Sequence, residues 1–283
     1  MAARFAALLA APAGAEVTLL GVIEAPQDEA RLTSALQALH AELSAGAGYP
    51  VSTSLRTGLP VEQILAEADE GGHDLVVVGI RGRGRFRRGQ VGRTTRRLVH
   101  YTRIPLLVVP RERPALRSIL ICTAAEKPGE ADAYVGGRIA QITSASVTIL
   151  HVMSQIPLTP EARIEYLAAN AETLLKSDVR EGVHFRRVLG ILANLGVDPA
   201  RCTPKVRHGL VLDEVLSEVR EGDYDLVVIG AHQVPAHQSW PRLRRMLQDD
   251  IASRILNTTA RPVLVVHARD MGMLPAAPPE SPA

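Results

Sequence analysis

At 283 residues the chain is long enough for about two domains, each with its own core. It is 46% hydrophobic but only 3% aromatic, so Ala, Val, Leu and Ile must build those cores, a composition suited to parallel sheets covered by helices. A net charge of +2 gives no global reason to expect nucleic-acid binding, and two cysteines, Cys122 and Cys202, with no CxxC spacing exclude a disulfide framework or a cysteine zinc site. No apolar run reaches the ~18–20 residues of a membrane span, and the thiols are expected to be reduced in a cytoplasmic protein.

Met1 to Ala15 is rich in Ala and Leu, but Pro12 and Gly14 break it before a strand begins, so it reads as a helix of the first domain rather than a secretory signal. Val17 to Ile23 is an aliphatic strand, and Asp28 to Ala45 a helix. After Gly58, apolar residues near 61, 64, 65 and 68 mark an amphipathic helix, closed by Asp69 to Gly72. A buried strand over Asp74–Val78 follows, then a glycine-rich loop, a helix starting near Thr95 and a strand over Ile104–Val109. Pro110 to Ala115 is a short polar linker. Beyond it the spacing predicts strands at Ile119–Thr123 and Val147–Met153 and helices at Glu161–Lys176 and His184–Leu195, with Ser177–Gly182 as the break between them. A last strand is expected at Pro262–Val266, and the Pro- and Ala-rich tail 270–283 as disordered.

The chain repeats itself. Gly58–Gly79 and Gly209–Gly230 align without a gap at an offset of 151, with 11 of 22 positions identical. Val17–Ile23 matches Val147–Met153 at an offset of 130. Alternating strands and helices predict two tandem α/β domains with doubly wound parallel sheets, over residues 1–111 and 116–269. The offset of 130 places a first-copy counterpart of Ile119–Thr123 before Met1, so the first domain is expected to lack its opening central strand, through truncation or through rearrangement of the sheet. Leu106–Val109 and Val263–Val266 come last in their copies and should lie at sheet edges; an exposed aliphatic edge invites pairing, so the two are expected to meet and make the chain an internal pseudo-dimer.

After the Asp74–Val78 strand comes Gly79-Ile-Arg-Gly82, then nine residues, then Gly92-Arg-Thr-Thr95 opening a helix. Glycine at a strand's carboxyl end lets the backbone turn sharply and approach a ligand, and a helix N-terminus offers unpaired N–H groups to phosphate. The plain alternative is a flexible surface loop. Neither a P-loop nor a dinucleotide fingerprint is present. This spacing, framed by Asp74-Leu-Val-Val-Val-Gly79 and Pro105-Leu-Leu-Val-Val-Pro110, resembles the ATP-binding signature of the universal stress protein family. The resemblance implies ATP as cofactor in the first domain. Val78, Gly79 and Gly82 would line the ribose and phosphates, Gly92, Arg93, Thr94 and Thr95 would hold the phosphate chain, and the backbone of Val22 would meet the adenine. Arg93 departs from the family's small hydroxyl residue, and the family's aspartate after the first strand has no first-copy counterpart. In the second copy Gln233 and Asp249-Asp250 replace the glycine and Gly-Ser positions, and the loop is six residues longer, so no ATP is expected there.

Eight arginines between Arg81 and Arg97 could meet phosphate or an acidic partner, or form a solvated surface; few aromatic residues accompany them, which argues against nucleic acid. His232 and His237 lack a further metal ligand, and no motif of a catalytic nucleophile or base appears. The resemblance implies a stress-response or regulatory protein, with homodimers and protein partners as in similar proteins. A non-nucleotide adaptor using both domains as interaction surfaces is the rival, and a slow ATPase stays open.

Overall fold

The computed structural model describes residues 1–46, 48–80, 91–124, 130–154, 159, 164, 166–231 and 251–267. The first copy runs α1 (Ala2–Ala13), β1 (Val17–Ile23), α2 (Glu29–Ser44), β2 (Val51–Thr57), α3 (Pro60–Glu70), β3 (Val76–Gly79), α4 (Arg93–Tyr101) and β4 (Leu106–Val109). The second runs β5 (Ser118–Thr123), α5 (Glu130–Thr143), β6 (Ser146–Met153), α6 (Ala171–Leu175), α7 (Arg180–Asn194), β7 (Cys202–His208), α8 (Val211–Glu221) and β8 (Leu226–Ala231). It ends with α9 over residues 251–258 and β9 (Val263–His267).

In the second copy the strand order β9-β8-β5-β6-β7 is parallel throughout, a doubly wound sheet with β5 at its centre. Ile119, Leu120 and Ile121 of β5 are fully buried, which is why that strand reads as an unbroken aliphatic run. The first copy shows the same order with its centre absent. β1 pairs only with β2 in a two-stranded parallel sheet, β3 pairs with β4, and among the described residues no strand lies between β1 and β3.

The two halves are joined by strand pairing. β4 and β9 run antiparallel, with Leu106 opposite Val265, Leu107 opposite Leu264 and Val108 opposite Val263, so a seven-stranded sheet crosses the whole molecule. Aligning the copies at Pro105 and Pro262 makes Leu107 and Leu264 equivalent, and these two pair with each other. A pseudo-two-fold axis therefore passes between them, the signature of an isologous contact. Cores lie on both faces of the sheet. On one, Phe5 and Leu9 of α1 join Leu107, Val109, Ile121 and Phe185. On the other, Leu98 and Val99 of α4 join Leu106, Leu120, Val215 and Ile255.

Sequence reading passed over β2 and β7. Val51-Ser-Thr-Ser-Leu-Arg-Thr57 is polar at alternate positions, since β2 and β7 lie at outer edges where one ladder and much of one face meet solvent. The expected helix at Glu161–Lys176 is α6 over its last residues, entered through a capping box of Asn170 and Thr173; most of 155–165 lies outside the described residues. No helix among the described residues is long and apolar enough to cross a membrane.

Candidate functional site

β3 ends at Gly79, and Ile80 donates its backbone N–H to the carbonyl of Val109 at 3.3 Å, which holds the strand's carboxyl end against β4. Gly82 and the arginines from Arg81 to Arg88 lie outside the described residues. The chain re-emerges at Val91, whose N–H donates to Asn257 Oδ1 at 2.8 Å across the two halves. Gly92 is the N-cap of α4 (φ −66°, ψ 164°), with no side chain capping the helix. Gly92, Arg93 and Thr94 are exposed, and a Cβ placed at Gly92 would meet nothing within 4 Å. The first turn of α4 thus offers unpaired backbone donors to open space. Thr95 instead faces inward and is buried.

Val22 stands in the two-stranded sheet opposite Arg56, whereas Val78 and Gly79 stand in the seven-stranded one, so no backbone ladder ties these sequence-predicted residues together. The N-terminus of α1 covers β3: a Cβ placed at Gly79 would lie 3.5 Å from the Cβ of Ala2.

The second copy differs at each of these points. A Cβ placed at Gly230, the counterpart of Gly79, would lie 2.7 Å from Oδ2 of Asp132, a buried carboxylate at the start of α5. That position, between the carboxyl ends of β5 and β8, is the switch point of the doubly wound sheet, where open α/β sheets take ligands. A carboxylate there opposes phosphate. Burial, with Asp132 and Glu218 adding negative charge, pushes the Cys122 thiol far up, so this β5 cysteine is no nucleophile. Gln233, His232, His237 and Asp249-Asp250 lie outside the described residues.

Sequence reasoning missed a histidine cluster behind this point. His151 on β6 hydrogen-bonds through Nδ1 to the carbonyl of Thr123 at 3.2 Å, and its ring lies 6.1 Å from that of His184 on α7. Both rings are buried. Burial lowers the His184 pKa to about 4, helped by His151 and Arg187, and burial also lowers that of His151. Thr123 Oγ1 and His184 Nε2 find no hydrogen-bond partner among the described residues. His151 sits inside an aliphatic run, and His184 where apolar residues recur on a helix; a histidine at a core position was the available signal. Among the described residues no group of three or more His, Cys, Asp or Glu could hold a metal.

The universal stress protein family model matches the chain twice, over residues 1–110 and 116–267. Among solved structures, a universal stress protein of Archaeoglobus fulgidus matches at TM-score 0.66 and 13% identity, covering 95% of this chain and 95% of its own. A functionally unknown protein of Pseudomonas aeruginosa PAO1 matches at TM-score 0.64 and 18% identity, covering 95% and 88%. A universal stress protein of P. aeruginosa UCBPP-PA14 matches at TM-score 0.63 and 18% identity, covering 96% and 92%. No curated protein matches by sequence. With the family model matched by both copies, and with both copies built on the same strand order, the chain belongs to the universal stress protein family.

Proposed function

We propose that the chain is a cytoplasmic stress-response or regulatory protein that binds ATP through its first half only. The observation that carries this reading is the contrast between the copies: the exposed, uncapped start of α4 at Gly92 against the buried Asp132 carboxylate over Gly230. Gly92, Arg93 and Thr94 supply backbone N–H groups at a helix N-terminus, where the helix dipole favours phosphate oxygens. Gly79 and Gly82 leave room for the chain of phosphates at the end of β3, and Val22 and Val78 bracket the purine and ribose from the two sheets. Thr95 supports the turn from inside rather than touching ligand.

Gly92→Asp separates binding from folding. The backbone at 92 suits any residue, the space is open, and Asp is a good N-cap, so the melting temperature should hold or rise slightly. The new carboxylate occupies the phosphate position, so ATP affinity measured by calorimetry on the full chain should fall at least about tenfold. Two equivalents of ATP per chain, or an affinity untouched by the substitution, would overturn the reading. A specific observation favours the non-nucleotide adaptor as a second reading: α1 places Ala2 over Gly79, and no strand between β1 and β3 carries an aspartate toward it. An absence of binding heat with ATP in the unaltered chain would decide for the adaptor.

A further inference from the structure

The strands that flank β5 are sealed, and their first-copy counterparts are not. Leu226, Val227 and Val228 of β8 are 0% exposed, whereas Leu75, Val76 and Val77, at the offset of 151, are each only partly buried. Leu150 and Val152 of β6 are buried, whereas Leu20 and Val22, at the offset of 130, are partly exposed. Exposure thus rises on the two strands that face each other across the place where β5 lies in the second copy.

The surroundings of that place are retained. Ala2 is the counterpart of Asp132, and each is the α-helical residue nearest the terminal glycine of its strand, Gly79 or Gly230. α1 is therefore seated over β3 as α5 is over β8. α1 also packs on β1 as α5 does on β6, and on the other face α3 packs on β1 as α8 does on β6. Both helices end the same way: Gly14 (φ 59°) and Ser144 (φ 56°) are left-handed, and Ala15 and Ala145 each donate an N–H five residues back, to Ala10 and Ala140, at 3.1 Å. Helical layers on both sides and strand edges at either hand frame a slot one strand wide.

We propose that the slot between β1 and β3 receives an extended aliphatic segment of a partner polypeptide as a parallel strand. It would join the two sheets in the order β2-β1-partner-β3-β4-β9-β8-β5-β6-β7. The chemistry of the segment follows from β5, whose three central residues are all buried, Ile119 and Ile121 toward α5 and Leu120 toward the other core. The segment is thus uncharged and aliphatic at three successive positions, and free of proline, because both ladders need its N–H groups. One position is restricted in size. In the second copy Gly136 lets α5 press on the sheet; a Cβ there would lie 2.7 Å from Cδ1 of Ile121. Its first-copy counterpart is Ala6, which already carries a Cβ, so the segment must present a residue smaller than Ile at that point, such as Val.

Hydrogen exchange on the full chain tests this with the synthetic peptide Ser-Ile-Leu-Val-Ser-Thr as probe. Without peptide, amides of residues 18–22 and 76–79 should exchange well ahead of their counterparts at 148–152 and 227–230. Saturating peptide should slow the slot amides by about tenfold or more and leave 148–152 unchanged. The same peptide with Pro at the third position, or with Trp at the fourth, should give no protection. Slot amides already as protected as their counterparts in the free chain would overturn the proposal, as would exchange unaltered by the Val peptide or slowed equally by the Pro and Trp peptides.

Discussion

Glu218 of α8 is 1% exposed yet charged. Burial opposes its ionisation, but Lys205 Nζ at 2.7 Å, Arg207 Nε at 2.6 Å and the Tyr224 hydroxyl at 2.6 Å hold it below the usual carboxylate range. The Tyr224 hydroxyl is in turn pushed up to about 12, by burial first and by Glu218 second. Arg207 reaches on to Glu214 and Glu221. At the offset of 151 the first copy repeats the node in milder form: Arg56 Nε meets Glu67 at 2.5 Å, Arg56 meets Glu70 at 2.7 Å, Ser54 stands for Lys205 and His73 for Tyr224. Two of the acids, Glu67 and Glu70, are among the identities that revealed the repeat, so part of the node was printed in the sequence; that they clasp an arginine two strands of chain away was not, because pairing across a β–α unit leaves no local period. Removing one partner of a buried pair strands the others, so Glu218→Ala should cost about 3–5 kcal/mol, and Glu67→Ala, in the more open node, clearly less. Urea unfolding of the two variants checks the order.

At the scale of elements, the strand pairing of β4 with β9 was legible because each is an aliphatic run placed last in its copy. The register was not, since a run of Leu and Val has no mark to fix it; the pairing of Leu107 with Leu264 is set by the packing of α4 and α9 to either side. His267 Nε2 meets the carbonyl of Val99 at 2.9 Å and pins β9 to the end of α4. The candidate site was legible only as glycine spacing. Its asymmetry came from Asp132 and Ala2, helix residues far from the loop in sequence, which no motif could rank. Val265 is 0% exposed and faces Leu106 on one side and Ile229 on the other. Val265→Lys buries an ammonium with no counter-charge between the copies, so it should lower stability by several kcal/mol, roughly 3 or more. It should also split a single calorimetric transition into two, as the halves lose their common sheet. One undivided transition in the variant would show that the β4–β9 ladder is not what couples them.

Across the whole molecule, one core runs from Phe5 and Leu9 of the first copy to Phe185 and Leu192 of the second, with His151 and His184 at its border. Both histidines have folded pKa values below the unfolded 6.5, His184 at about 4. The unfolded chain therefore binds more protons between these values, and stability falls as pH drops below about 6.5, levelling off only near 4. His151 faces Thr123, His184, Phe185 and the charges of Arg180 and Glu181; His184 adds Arg187. The loss should amount to about 1–3 kcal/mol. In His184→Leu, which keeps the apolar volume, the melting temperature should change much less between pH 7 and pH 5 than in the unaltered chain.

The axis between Leu107 and Leu264 has a consequence for how such a molecule can change. In an assembly of two identical chains every substitution is made twice, and whatever suits one site is imposed on its twin. Here the two sides are written separately along one polypeptide. Ala2 and Asp132, Ser54 and Lys205, Gly14 and Ser144 already differ across positions that the geometry makes equivalent. The contact also no longer depends on dilution, because the short segment from Pro110 to Arg117 keeps the two sides at fixed effective concentration. One side is thereby free to specialise for a ligand while the other is committed to holding the shape.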